Sequence, residues 1–200
     1  MTLVVRVVVL FVVALGLYWG TARVFGNSAT PDVAYFNQLA EAFLHGQTYL
    51  AAPASTHDLT FYGGQWYVPF PPLPALLMLP WVWGFGVAAV NTVFFCALFG
   101  AFNVALVYLL LAAMSERGWS QLRTSDQLWL TVLLAIGSVH WYMATLGSVW
   151  FVAQICTLTF VLLAVWLAIW LPWRWSTPWL AGGALACAAL ARPNVLLTWP

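Results

Sequence analysis

Three of the five acidic residues, Asp32, Glu41 and Asp58, fall between Asp32 and Pro74, together with two of the three histidines, His45 and His57. An apolar run precedes this stretch and several follow it, so any acid–base chemistry belongs at a boundary between water and lipid. A carboxylate held there can serve as a general base, a role that typically contributes about 10²–10⁴-fold. Asp32 is the first candidate, because it stands just outside the first apolar run. Its competing role is a solvated acid that favours the positive end of a helix dipole. His57-Asp58 is the second candidate, or else a polar turn. Glu41 lies nine positions beyond Asp32, which at about 100° per residue puts it on the opposite face of a helix, so it reads as solvated. Arg192, near the end of the last apolar run, is the candidate for holding an anion. A charge at that depth must be paired, hydrated or snorkelling.

The elements that must position these residues follow from composition. The 200 residues are 64% hydrophobic and 6% charged, against roughly 25% charged in soluble domains. A soluble fold could not hide that much apolar surface, so lipid must be part of the solvent and the bilayer is the first partner. The basic residues are six arginines, and a net charge of +1 gives no reason to expect a nucleic-acid partner. Cys96, Cys156 and Cys187 all lie in apolar runs and read as small core residues, with neither disulfide nor metal spacing.

The expected fold is an all-α polytopic membrane protein forming one domain. Five crossings are expected over Leu3–Gly20, Val87–Met114, Gln127–Leu146, Phe151–Leu171 and Trp179–Thr198, each near the about 20 residues a bilayer requires. The first is read as a span rather than a signal peptide, since no small-x-small cleavage site follows it. Residues 21–74 form an external loop. Within it Thr30-Pro31-Asp32 reads as a helix start, with Val33, Phe36, Leu39, Ala40, Phe43 and Leu44 on one face and Gly46 as the stop. That helix is too polar to span and should lie in the interface plane. Phe61 to Tyr67 predicts a hairpin turning at Gly63-Gly64, with Phe61 opposite Trp66 and Tyr62 opposite Gln65. Ala75–Gly86 is apolar but short, a dipping helix. His140 is expected to make an interhelical hydrogen bond, and Asn91 and Gln154 are read likewise.

Arginine bias sets the orientation. With a cytoplasmic N-terminus, Arg6, Arg117, Arg123 and Arg174 lie inside, while Arg23 and Arg192 lie outside with the loop.

Pro31-Asp32, Phe70-Pro71-Pro72-Leu73 and the order of elements resemble the GT-C superfamily of integral membrane glycosyltransferases. Bacterial relatives of the dolichyl-phosphate-mannose protein mannosyltransferases are the nearest in pattern. The matching residues are Asp32, Tyr35, Ala40, Gly46, Pro71, Pro72, Leu73, Phe85 and Gly86, together with the Gly/Ala-rich GGALACAALARPNVLL. The resemblance implies transfer of a sugar from a polyprenyl-phosphate donor to an acceptor at the external face of the plasma membrane, with inversion. Asp32 would be the base and Arg192 a phosphate ligand, with Tyr35, His57 and Asp58 near the substrate. Tyr62, Trp66 and Tyr67 could stack a sugar ring, although an interfacial aromatic belt explains them equally well. The family's second carboxylate is Val33 here, so no metal is expected, nor any other cofactor; Phe70 stands where some members have lysine, so a cation that could help hold the donor phosphate is missing at that point. Family members run to about a dozen spans, which reads this chain as the front part of a longer protein ending at Pro200. The competing reading is a non-catalytic membrane protein on the same scaffold. A small transporter is less consistent, because no internal repeat is visible.

Overall fold

The computed structural model describes residues 2–172 and 174–198, so Pro200 lies outside the described residues. Among them are eight α-helices and one two-stranded hairpin. The helices are α1 (Leu3–Val24), α2 (Phe36–Leu44), α3 (Leu73–Phe85), α4 (Thr92–Glu116), α5 (Thr124–Gly137), α6 (Val139–Ala144), α7 (Val149–Trp170) and α8 (Ser176–Ala191). Strands β1 (Thr60–Tyr62) and β2 (Gln65–Tyr67) make the hairpin, and 3₁₀ turns cover Val87–Ala89 and Pro193–Thr198. The fold is all-α. Three of its helices, α1, α4 and α7, are long and apolar enough to cross a membrane.

Those three suit a lipid environment in their surfaces as well as their lengths. Val4, Val8 and Val12 form an i, i+4 row along α1, and all three are exposed. Such a valine stripe has no partner in water and a natural one in acyl chains. α4 is the most buried of the three. It packs against α1 on one side and α7 on the other, and α7 carries α8. Gly100 lets α4 approach closely: a Cβ there would lie 2.6 Å from the Ala144 Cβ and 3.2 Å from the Tyr18 ring. Small residues at such crossings are the usual solution where lipid supplies no hydrophobic drive.

A polar cluster ties the middle of the bundle together. The Tyr18 hydroxyl donates to the Ala135 carbonyl at 3.0 Å and lies 3.1 Å from His140 Nδ1. The far side of that ring, Nε2, is 3.3 Å from Asn103 Nδ2, which also donates to the Ile155 carbonyl at 3.1 Å. Thr159 donates to Asn103 Oδ1 at 2.6 Å. These bonds assign the proton of a neutral imidazole to Nδ1, leaving Nε2 to accept. Interhelical bonding of His140 agrees with expectation, but its partners lie on two other helices, α1 and α4, which the sequence did not reveal.

Several expected boundaries need correction. The loop helix does not start at Asp32: residues 31–34 form a turn closed by Ala34 N–H to the Pro31 carbonyl at 2.9 Å, and α2 begins at Phe36. The crossing expected from Val87 begins at Thr92, because the Asn91 side chain caps it by accepting from Phe94 N–H at 2.9 Å. The Gln127–Leu146 run is broken at Ser138, whose extended backbone separates α5 from a six-residue α6. The last run leaves the α-helix at Ala191, since Pro193 cannot continue it. The five continuous spans therefore reduce to three long apolar helices, with α3 and α8 apolar but shorter. The hairpin has the expected register, Phe61 opposite Trp66 and Tyr62 opposite Gln65. Gly63 and Gly64 both take positive φ, 57° and 80°, as the tight turn requires.

Side-chain bonds show how the passes are arranged. Arg6 donates to the Tyr108 hydroxyl at 3.2 Å and to Thr124 at 3.5 Å, and Arg117 donates to the Trp170 carbonyl at 2.6 Å. The start of α1, the start of α5 and the ends of α4 and α7 thus share one end of the bundle. Asp32, Asp58 and the starts of α4 and α7 occupy the other.

Candidate functional site

The chain between α1 and α2 is pinned onto two helix N-termini. Gly26, at φ 73°, turns the chain after α1. Asn91 Nδ2 donates to the Ser28 carbonyl at 2.8 Å, and the Thr30 hydroxyl accepts from Thr92 N–H at 3.2 Å. Thr30 therefore caps α4, not the helix that follows it in sequence. Three residues on, the Val33 carbonyl accepts the Val149 N–H at 3.1 Å, fixing the segment to the start of α7. Asp32 is held between these two attachments.

Beside it is a cavity of about 410 Å³ lined by Asn27, Thr30, Asp32, Val93, Gly147 and Ser148, among others. The N-termini of α4 and α7 meet at its wall and contribute partial positive charge. The Asp32 side chain is exposed, and its carboxylate makes no hydrogen bond or ion pair among the described residues. Two hydroxyls at these helix starts, Thr92 Oγ1 and Ser148 Oγ, are buried without a partner among the described residues. A second cavity of about 400 Å³ opens between α1 and α6, lined by Thr21, Ala22, Phe25, Trp141 and Tyr142. Asn27 and Leu146 line both, so the polar chamber with the carboxylate adjoins an apolar cleft on the flank of α1.

Gly147 makes this geometry possible. A Cβ at that position would stand 2.5 Å from Val93 N and 2.8 Å from the Thr92 carbonyl carbon, both backbone atoms. Gly147→Ala is expected to force the two helix starts apart and to destabilise the fold by about 1–3 kcal/mol. A thermal unfolding scan reads the effect, and an unchanged midpoint would show that the contact is slack.

The other predicted residues are not gathered into this cavity. His57 Nε2 is 3.9 Å from Asp58 Oδ1, and Asp58 Oδ2 accepts from the Trp150 indole at 2.9 Å. Asp58 has a positive φ of 59° and joins the loop to the first turn of α7. The Tyr35 ring is fully buried, and its hydroxyl donates to the His57 carbonyl at 2.6 Å. It braces the loop instead of meeting Asp32. Trp66 stacks obliquely on Phe61 at 4.8 Å, while Tyr62 projects outward from the same hairpin. Arg192 ends α8, half-buried, and does not line the Asp32 cavity. The expected pairing of Asp32 with Arg192 across one chamber is not what the chamber contains. Thr30, Gly147 and Ser148 were missed. Thr30 was read only as a cap for the helix that follows it, and Gly147-Ser148 has no signal beyond a Gly-Ser pair before an apolar run, which reads equally as a turn.

No family model, curated protein or solved structure matches the chain. The class its geometry defines is an all-α protein with membrane-length apolar helices and a carboxylate-bearing chamber at one end of the bundle.

Proposed function

We propose that this protein is a membrane glycosyltransferase that moves a sugar from a polyprenyl-phosphate donor to an acceptor hydroxyl. The observation that carries the reading is the junction of the Asp32 chamber with the apolar cleft at Asn27 and Leu146. A donor of this class has an oily tail and a polar, phosphorylated head, and the two adjoining spaces match that division. In this reading the acceptor oxygen attacks the anomeric carbon and its proton passes to the Asp32 carboxylate. The bond from the anomeric carbon to the phosphate oxygen breaks, and the phosphate leaves with the electron pair. The positive ends of α4 and α7 face the same chamber and offset charge on the departing phosphate. Arg192 lies outside the chamber, so the leaving-group role falls to these helix ends.

The accompanying topology is five passes, with α5 and α6 together making one and α8 another, and with the N-terminus in the cytoplasm of a plasma membrane. Support comes from Thr124 lying beside Arg6 while Leu146 lines the Asp32 chamber, so residues 124–146 run from one end of the bundle to the other. Arg6 and Arg117 gather at the end away from Asp32, which suits the inside-positive bias.

The test is reconstitution of the chain in vesicles with a panel of polyprenyl-phosphate sugars carrying a radiolabel. Transfer of label to a hydroxyl acceptor, with release of polyprenyl phosphate, is expected. Saturable donor binding with no turnover on any donor would favour a non-catalytic protein on this scaffold and end the enzyme reading.

A further inference from the structure

Another polar cavity, of about 380 Å³, lies between α2 and the segment that follows it. Its floor is the helix face carrying Gln38, Glu41 and His45, and its wall is the following segment with Gln47 and Tyr49. The size falls in the about 300–1,000 Å³ range of small-molecule sites. The wall is fixed. Gly46, at φ 70°, reverses the chain, and the Gln47 N–H closes onto the Ala42 carbonyl at 2.9 Å. Leu50 N–H then donates to the Trp66 carbonyl at 2.8 Å, tying the segment to the hairpin. The Tyr49 ring stands edge-to-face with Tyr67 at 6.3 Å.

The chemistry of the lining restricts the occupant. No lysine or arginine lines the cavity, and Glu41 is its one carboxylate. The C-terminal end of α2 adds partial negative charge beside His45. Anions are therefore disfavoured on two counts. Among the described residues the side chains of Glu41, Gln47 and Tyr49 make no hydrogen bond. A carboxylate that only accepts, an amide that both donates and accepts, and a phenol at one rim match adjacent hydroxyl groups, each of which also donates and accepts.

We infer that this cavity binds a polyol of monosaccharide size that carries no negative charge. The inference goes beyond the transferase reading and does not need it, since the cavity shares no lining residue with the Asp32 chamber.

Saturation-transfer NMR on the detergent-solubilised chain tests it with glucose, mannose and galactose, and with glucuronate as the anionic match. At least one neutral hexose should bind saturably, with glucuronate weaker by about tenfold or more. Gln47→Ala should weaken the hexose by about tenfold, the size of one lost hydrogen bond. Glu41→Gln should relax the exclusion of glucuronate, an effect that a merely structural glutamate would not produce. Asp32→Asn should leave hexose affinity unchanged while lowering transfer by about 10²–10⁴-fold, which separates this site from the catalytic reading. Absence of saturable hexose binding, glucuronate binding as tightly as the hexoses, or unaltered selectivity in Glu41→Gln would each overturn the inference.

Discussion

Asp32→Asn is expected to lower sugar transfer by about 10²–10⁴-fold, the contribution of a positioned general base. The amide keeps the volume of the carboxylate but cannot take the acceptor proton. Asp32 is exposed and bonds to nothing among the described residues, so no packing or hydrogen bond is lost with the charge. The unfolding midpoint should therefore stay where it is, and donor binding should be nearly unchanged because the apolar cleft is untouched. Loss of turnover with retained binding is the signature of a residue that acts on the reacting atoms. Asp32→Glu should recover only part of the rate, since one extra methylene displaces the oxygens from the position the turn at residues 31–34 sets. A transfer rate for Asp32→Asn within about fivefold of wild type would remove Asp32 from the chemistry.

The second large effect concerns stability. Asn103→Ala removes the hub of the buried cluster: the bond to His140 Nε2, the bond to the Ile155 carbonyl and the bond accepted from Thr159. Interhelical hydrogen bonds in membranes average about 0.6 kcal/mol and reach about 1.7. Three such bonds, with the partners left unpaired in a buried site, put the expected loss at about 2–4 kcal/mol. Fully buried Asn103 has no solvent to compensate for it. Reversible unfolding in mixed detergent micelles measures the change. A double-mutant cycle with His140→Ala should be strongly non-additive, since either substitution alone breaks the chain from Tyr18 to Thr159. Additive losses, or a total below about 0.5 kcal/mol, would mean that the helices are held by packing alone.

The cluster also bears on Ser138. The break between α5 and α6 leaves backbone groups without their usual helical partners. One of them, the Ala135 carbonyl, is taken by the Tyr18 hydroxyl, and Ser138 Oγ caps α6 by accepting from His140 N–H at 3.2 Å. The interruption is thus satisfied locally by side chains from α1 and from the break itself. Beyond the break, Trp141 of α6 donates to Thr21 of α1 at 3.4 Å, and both residues line the apolar cleft.

Much of the architecture was legible in the chain alone because it depends on short-range physics. The three longest uninterrupted apolar runs give the three long helices, since a helix satisfies every backbone group within its own segment. The Gly63-Gly64 pair specifies a hairpin turn because both residues must take positive φ. Pro71, Pro72 and Gly86 bracket α3 for equally local reasons. Asp32 could be singled out as an acid placed just beyond an apolar span.

The neighbourhood of Asp32 could not be read in the same way, because it is assembled from residues far apart in sequence. Thr30 has the side chain of a cap, and nothing local says that the N–H it meets belongs to Thr92. Gly147 resembles any turn glycine until α4 is brought within reach of it. Arg192 looked like the partner of Asp32 because both stand near span ends, yet a rule about ends cannot place two groups in one chamber. Local propensity and the bilayer settle which segments become helices. Which helix starts converge on a carboxylate is settled by close packing between distant segments, and that geometry exists only in the folded bundle.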